Sequence, residues 1–160
     1  MTAACHDALA RIVALDLAGW VGLPACSLAE VEAVWRAGGA PQELHLGAES
    51  ATAQAFDLGT RWGRVWSRDG AVVLVDVEGA LDVDVAALGE PEARLTAHSG
   101  FAAYPEGELV FPQRGLAVGV SPSGPVLYVA FFAATTLDEY TSALHVDRAQ
   151  RPVPEIGANP

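Results

Sequence analysis

Apolar and polar residues alternate with two different periods along this chain, and the changes of period mark its elements. Leu9, Ile12, Val13 and Leu17 recur at three- and four-residue spacing and predict a helix over 6–18, which Trp20–Pro24 interrupts. A second helix opens at Ser27, where Ser27 and Glu30 make a capping box and Cys26 is placed to staple onto Val31. Its apolar stripe is Leu28, Val31, Val34 and Trp35, and Gly38-Gly39 ends it. A weak strand is expected at 43–46, followed by a loop through the Ala- and Ser-rich stretch up to 61.

Beyond that point the period falls to two. Strands at 62–67 and 71–77 flank Arg68-Asp69-Gly70, and an Asp-Gly pair between apolar runs signals a hairpin. A short helix at 82–88 and a strand at 93–97 come next, then a loop from Phe101 to Glu108 and strands at 108–111, 116–120 and 126–132. Ser121-Pro-Ser-Gly-Pro125 is a turn, and Thr136 with Glu139 caps a last helix. The strand at 126–132 is apolar on both faces, which places it centrally and requires a hydrogen-bond partner for Tyr128. The segment from 149 to 160, rich in proline, reads as an extended tail.

The pattern also repeats. Residues 63–75 align without a gap on 108–120 at an offset of 45 (110 − 65), with Val65 on Val110, Trp66 on Phe111, Gly70 on Gly115, Val73 on Val118 and Val75 on Val120. Gly39-Ala-Pro41 matches Gly89-Glu-Pro91 in the same way at an offset of 50 (89 − 39). The reading is a single α+β domain over 1–148, built of two helix–loop–hairpin half-repeats (27–77 and 82–132) and terminal helices. These form a curved antiparallel sheet with helices on one face. Val65, Val73, Val75, Val110, Val118 and Val120 should then point into the core.

The sequence Ser27-x-x-Glu30-Val31, then Gly39-x-Pro41, then a hairpin resembles the module of the small outer-membrane-assembly lipoproteins. A tandem pair of such modules is similar to the secreted β-lactamase inhibitor proteins, over roughly residues 24–132. The resemblance implies a two-module fold and a binding role. It transfers no target, because those inhibitors carry a disulfide in each module that this chain has no cysteines to form.

Composition narrows the function further. The chain has 160 residues, 51% of them hydrophobic, and a net charge of −11. The cations are arginines without a single lysine, in keeping with a GC-rich bacterial genome. A surface this acidic repels phosphate backbones and anionic lipid, so neither nucleic acid nor membrane is an expected partner. Cys5 and Cys26 are the only cysteines, and without C-x-x-C spacing they are expected unpaired in a reducing cytoplasm. The alternative is a lipoprotein anchored at Cys26, since Leu23-Pro-Ala-Cys26 follows an apolar run; Asp16 interrupts that run.

No nucleophile elbow, P-loop, dinucleotide fingerprint or H-E-x-x-H motif is present, and neither a metal nor a cofactor is expected. Glu43-x-His45 and His145-x-Asp147 are ligand pairs in form, but their places near a surface strand and a helix end favour solvated roles. Aromatic and arginine residues carry the stronger lead. Trp62 and Trp66 share one strand face, with Arg61, Arg64, Arg68 and Arg114 nearby in the hairpins, and Trp and Arg are the residues enriched at binding hot spots. Core packing of the tryptophans is the competing reading. Tyr104, in the loop 101–108, is placed on the rim of a pocket.

Two functions follow. The first is a non-catalytic binding protein of inhibitor, immunity or accessory type, monomeric or dimeric, gripping a protein partner with a curved sheet face. The second is a cofactor-independent small-molecule-binding protein or enzyme with an apolar pocket between sheet and helices.

Overall fold

The computed structural model describes residues 2–99 and 102–148. The extended tail expected at 149–160, and Phe101, lie outside the described residues. Thr2 caps the first helix, α1 (Ala3–Ala14), and the Ser27–Glu30 capping box opens α2 (Leu28–Glu32) as the sequence predicts. Nine strands follow in one antiparallel sheet: β1 (Arg36–Ala37), β2 (Gln42–Leu46), β3 (Glu49–Asp57), β4 (Trp62–Arg68), β5 (Ala71–Leu81), β6 (Ala93–Ser99), β7 (Ala102–Phe111), β8 (Leu116–Val120) and β9 (Val126–Phe132). Their order is β1-β3-β4-β5-β9-β8-β7-β6, with β2 paired to β3 on the same side as β1. The fold is a curved, sheet-dominated α+β architecture with few helices.

Turn chemistry places the strands. Asp69 and Gly70 both take positive φ (51° and 78°), the geometry that joins β4 to β5 with the right-handed twist of a hairpin. The Ser121–Pro125 turn closes on a bond from the Ser121 N–H to the Pro125 carbonyl at 2.9 Å. The apolar strand β9 is central, between β5 and β8.

Several expectations need correction. The second helix stops at Glu32 instead of reaching Gly38, because Arg36 and Ala37 pair with Asp57 and Phe56 on β3. The supposed loop after residue 46 is the nine-residue strand β3, whose buried positions Ala51 and Ala53 have weak intrinsic strand preference. The loop placed at 101–108 is strand β7 from Ala102 onward. The short helix after β5 is a 3₁₀ turn at Val85–Leu88.

Helices do not gather on one face; both faces of the sheet are covered. On the first, Cys5, Leu9 and Ile12 of α1, Val31 of α2, and Trp20 from the segment between these helices pack on Phe56, Val65, Val75, Val118 and Phe131. On the second, Leu44 and Leu46 of β2 join a C-terminal segment, α3 (Leu137–Glu139) and a π-type turn (Tyr140–Leu144), over Trp66, Leu74, Val110 and Phe132. The His145 N–H bonds the Tyr140 carbonyl at 2.8 Å to close that turn. A sheet with two apolar faces needs two lids, and this chain supplies one from each end.

The tandem repeat is not shown. Both hairpins exist, but β4-β5 and β8-β7 flank β9 in opposite lateral order. Aligned residues ahead of the bulge in β5 therefore face opposite layers: Val65 lies in the first core and Val110 in the second, Trp66 in the second and Phe111 in the first. Val65, Val75, Val110 and Val118 are buried, with Val73 and Val120 partly so. Val73 is the extra residue of a β-bulge opposite Trp66 and Ser67, and the bulge resets the alternation so that Val72 and Val75 share a face.

Cys5 and Cys26 form a disulfide, with their Cα atoms 5.5 Å apart. This overturns the expectation of free thiols. The helical phase that buries Cys5 beside Leu9 and Ile12 brings it against Cys26, which lies beneath α1. A Cys26 thiol held in this bond is not free to carry a lipid, and disulfides persist mainly in oxidising surroundings.

Candidate functional site

Strand β4 presents Trp62, Arg64 and Trp66 on the second sheet face, as alternation requires. Their neighbours follow from the strand register. Arg64 lies opposite Asp76 of β5, Glu78 opposite Tyr128 of β9, Tyr128 opposite Gly119 of β8, and Gly119 opposite Glu108 of β7. One polar band thus crosses five strands of this face.

Its inner end is sealed. Glu108 is 1% exposed and accepts hydroxyl hydrogen bonds from Tyr140 at 2.6 Å (Oε1) and from Tyr128 (Oε2), with His145 Nε2 3.4 Å from Oε1. Burial and the Glu108 charge push both tyrosine hydroxyls well above their ordinary pKa, so they remain donors. The Tyr128 ring fills the space over Gly119, where a Cβ would stand 2.2 Å from it.

The middle of the band is ionic. Asp76, 1% exposed, accepts the Trp66 indole N–H at 3.1 Å and an Arg148 N–H at 3.2 Å, with Arg64 3.7 Å away. Glu78 takes Arg148 at 2.8 Å and Arg64 at 3.4 Å. Arg148 lies over the Tyr128 ring, 3.5 Å from its centroid, and Arg64 lies over the Trp66 ring at 4.8 Å. Desolvation alone would lower the Arg148 pKa, but the Asp76 and Glu78 carboxylates outweigh it and keep the guanidinium charged.

The outer end is open. Trp62 is 56% exposed, whereas Trp20, Trp35 and Trp66 are buried. Its ring lies across Gly38, where an added Cβ would come within 2.0 Å of the indole. Arg36 reaches Asp57 beside it at 3.3 Å, and the Gly59 N–H together with Arg36 holds the Asp57 carboxyl below its usual range.

The six candidate residues therefore divide. Trp62, Arg64 and Trp66 are neighbours, although Trp66 is fully buried and serves the core. Arg68 is a clamp, donating to the carbonyls of Ser50 (2.9 Å) and Ala143 (2.8 Å). Arg114 likewise bonds the carbonyls of Leu88 (3.0 Å) and Leu17 (3.2 Å). Tyr104 stands apart, in an open groove of about 600 Å³ between β7–β8 and the 3₁₀ turn, lined also by Val85, Pro91, Arg94, Leu109 and Val120. A bulge shapes that groove: Pro105, Glu106 and Gly107 oppose the single Thr96, and Glu106 takes φ 61°.

The sequence reading missed Asp76, Glu108, Tyr140 and Arg148. Asp76 alone had a visible signal, as a charge inside the apolar run Val72–Val77. The bridge between Leu46 and Val146 does bring the segments of His45 and His145 alongside, but no group of three or more potential metal ligands occurs among the described residues. Nor, among them, is any helix long and apolar enough to cross a membrane. No family model, curated protein or solved structure matches the chain.

Proposed function

We propose that this chain is a non-catalytic binding protein, of inhibitor, immunity or accessory type, whose partner docks around Trp62. The observation that carries this reading is an indole more than half exposed, held in place by Gly38 and bordered by arginines. A large aromatic kept rigid in water contributes nothing to folding in proportion to its area, and such residues dominate binding energies. The chain's own segments pack on both sheet faces, so the contact surface is the outer end of the polar band on the second face, around Trp62. The sealed Glu108 cluster suits a structural role, since no substrate reaches a carboxylate buried under two tyrosines. The test is a photo-crosslinking residue at position 60, exposed beside Trp62, in producing cells. A discrete adduct, lost on adding Arg64→Ala, supports the reading; adducts that Arg64→Ala leaves unchanged, or none, overturn it.

The groove beside Tyr104 supports a second reading, a small apolar ligand held between sheet and turn. A Tyr104→Ala change that abolishes retention of a ligand through native purification favours this reading over the first.

A further inference from the structure

We infer that the Trp62 surface receives an acidic polypeptide segment; this rests on the binding reading above and names the chemistry of the partner. The charges of the chain are unevenly placed. Arg61 precedes Trp62 in sequence, Arg36 borders it through Asp57, and Arg64 and Arg148 lie along the band behind it. These are four of the nine cations, set against three of the twenty acids (Asp57, Asp76 and Glu78). The patch is therefore formally +1 (4 − 3) on a chain of −11, against −12 (−11 − 1) for all the rest of the chain taken together.

Its cations are also unevenly committed. The Arg36 side chain is 85% exposed with one carboxylate contact at 3.3 Å. The Arg64 side chain is about a third exposed, with its terminal nitrogen 3.4 Å from Glu78 and 3.7 Å from Asp76. A shallow cleft of about 160 Å³ runs between Trp62, Arg64, Asp76 and Glu78, wide enough for a side chain at the foot of the indole. Carboxylates of an incoming segment would pair with Arg36 and Arg64, while an apolar residue between them packs on the ring. This divides the work usual at interfaces, with charge steering the encounter and the aromatic holding the complex. A nucleic acid, although anionic, is disfavoured by the −11 that surrounds so small a patch.

Trp62 is its own reporter, because the other three tryptophans are buried. At low salt, iodide should quench the exposed tryptophan emission at least as well as caesium, against the sign of the net charge, and Arg36→Glu with Arg64→Glu should invert that order. A synthetic peptide alternating glutamate and leucine should shift the emission and bind about tenfold tighter than its lysine counterpart. That preference should collapse at high salt and vanish in Trp62→Ala. Caesium quenching better than iodide in the unaltered protein, or a lysine peptide that binds as well, overturns the acidic partner while leaving a binding role at Trp62 intact. Emission that changes with protein concentration alone, alongside dimer sedimentation, makes a second copy the occupant and also overturns it. The binding reading itself fails separately, through the crosslinking test at position 60.

Discussion

The Tyr140 hydroxyl donates to Glu108 Oε1 at 2.6 Å, and this one bond ties the C-terminal turn to strand β7 across the second core. Tyr128 holds the other oxygen of the same carboxylate, so three buried side chains satisfy one another. Glu108→Ala leaves two buried hydroxyls unpaired and should lower stability by about 3 kcal/mol, read from urea unfolding. Glu108→Gln, which keeps an acceptor, should cost less; equal losses would mean that packing and not hydrogen bonding is at stake.

The same cluster sets the response to alkali. In the folded protein both tyrosine hydroxyls have pKa values raised above the ordinary 10.0 of the side chain. The unfolded chain thus sheds protons above pH 10 that the native state keeps, and unfolding is favoured as pH rises. The stability is intact below pH 10 and declines above it, by up to about 1.4 kcal/mol per pH unit for each tyrosine. Tyrosinate absorbance from Tyr128 and Tyr140 should appear only together with loss of the folded circular dichroism signal.

Trp62 and Trp66 stand four residues apart with opposite fates. Trp66→Ala empties a fully buried site and should cost about 3–5 kcal/mol. Trp62→Ala should cost about 1 kcal/mol or less, because more than half of the residue is exposed to water. Thermal melts of the two variants beside the unaltered protein give the comparison directly.

The Cys5–Cys26 bond closes a loop across a separation of 21 residues. A crosslink of that span is worth about 3 kcal/mol in the chain-entropy account. Oxidised protein should take up no alkylating reagent even when denatured, and reduction should lower the melting midpoint. Two alkylated thiols in protein isolated without reductant would contradict the pairing.

Much of the sheet was legible in the sequence because its signals are local. The Asp69-Gly70 turn, the Ser121–Pro125 turn and the two-residue alternation around them place β4, β5, β8 and β9 to within a few residues. The Ser27–Glu30 box gives the start of α2, though not its end, which Arg36 and Ala37 surrender to the edge of β3. Strand β3 escaped notice because alanine advertises no strand, and its burial depends on neighbours that only the fold provides.

What the sequence by itself determined is where the marked turns fall and which segments beside them extend, since backbone sterics and side-chain period act over a few residues. What the tertiary structure alone decided is which layer each strand face meets. Strand order is a long-range choice, and a single bulge residue such as Val73 reverses the alternation beyond it. For that reason aligned hairpins bury Trp66 and Phe111 on opposite sides, and Cys5 finds Cys26. It is also why Glu108, Tyr128, Tyr140 and His145, from three distant stretches of chain, converge on one carboxylate.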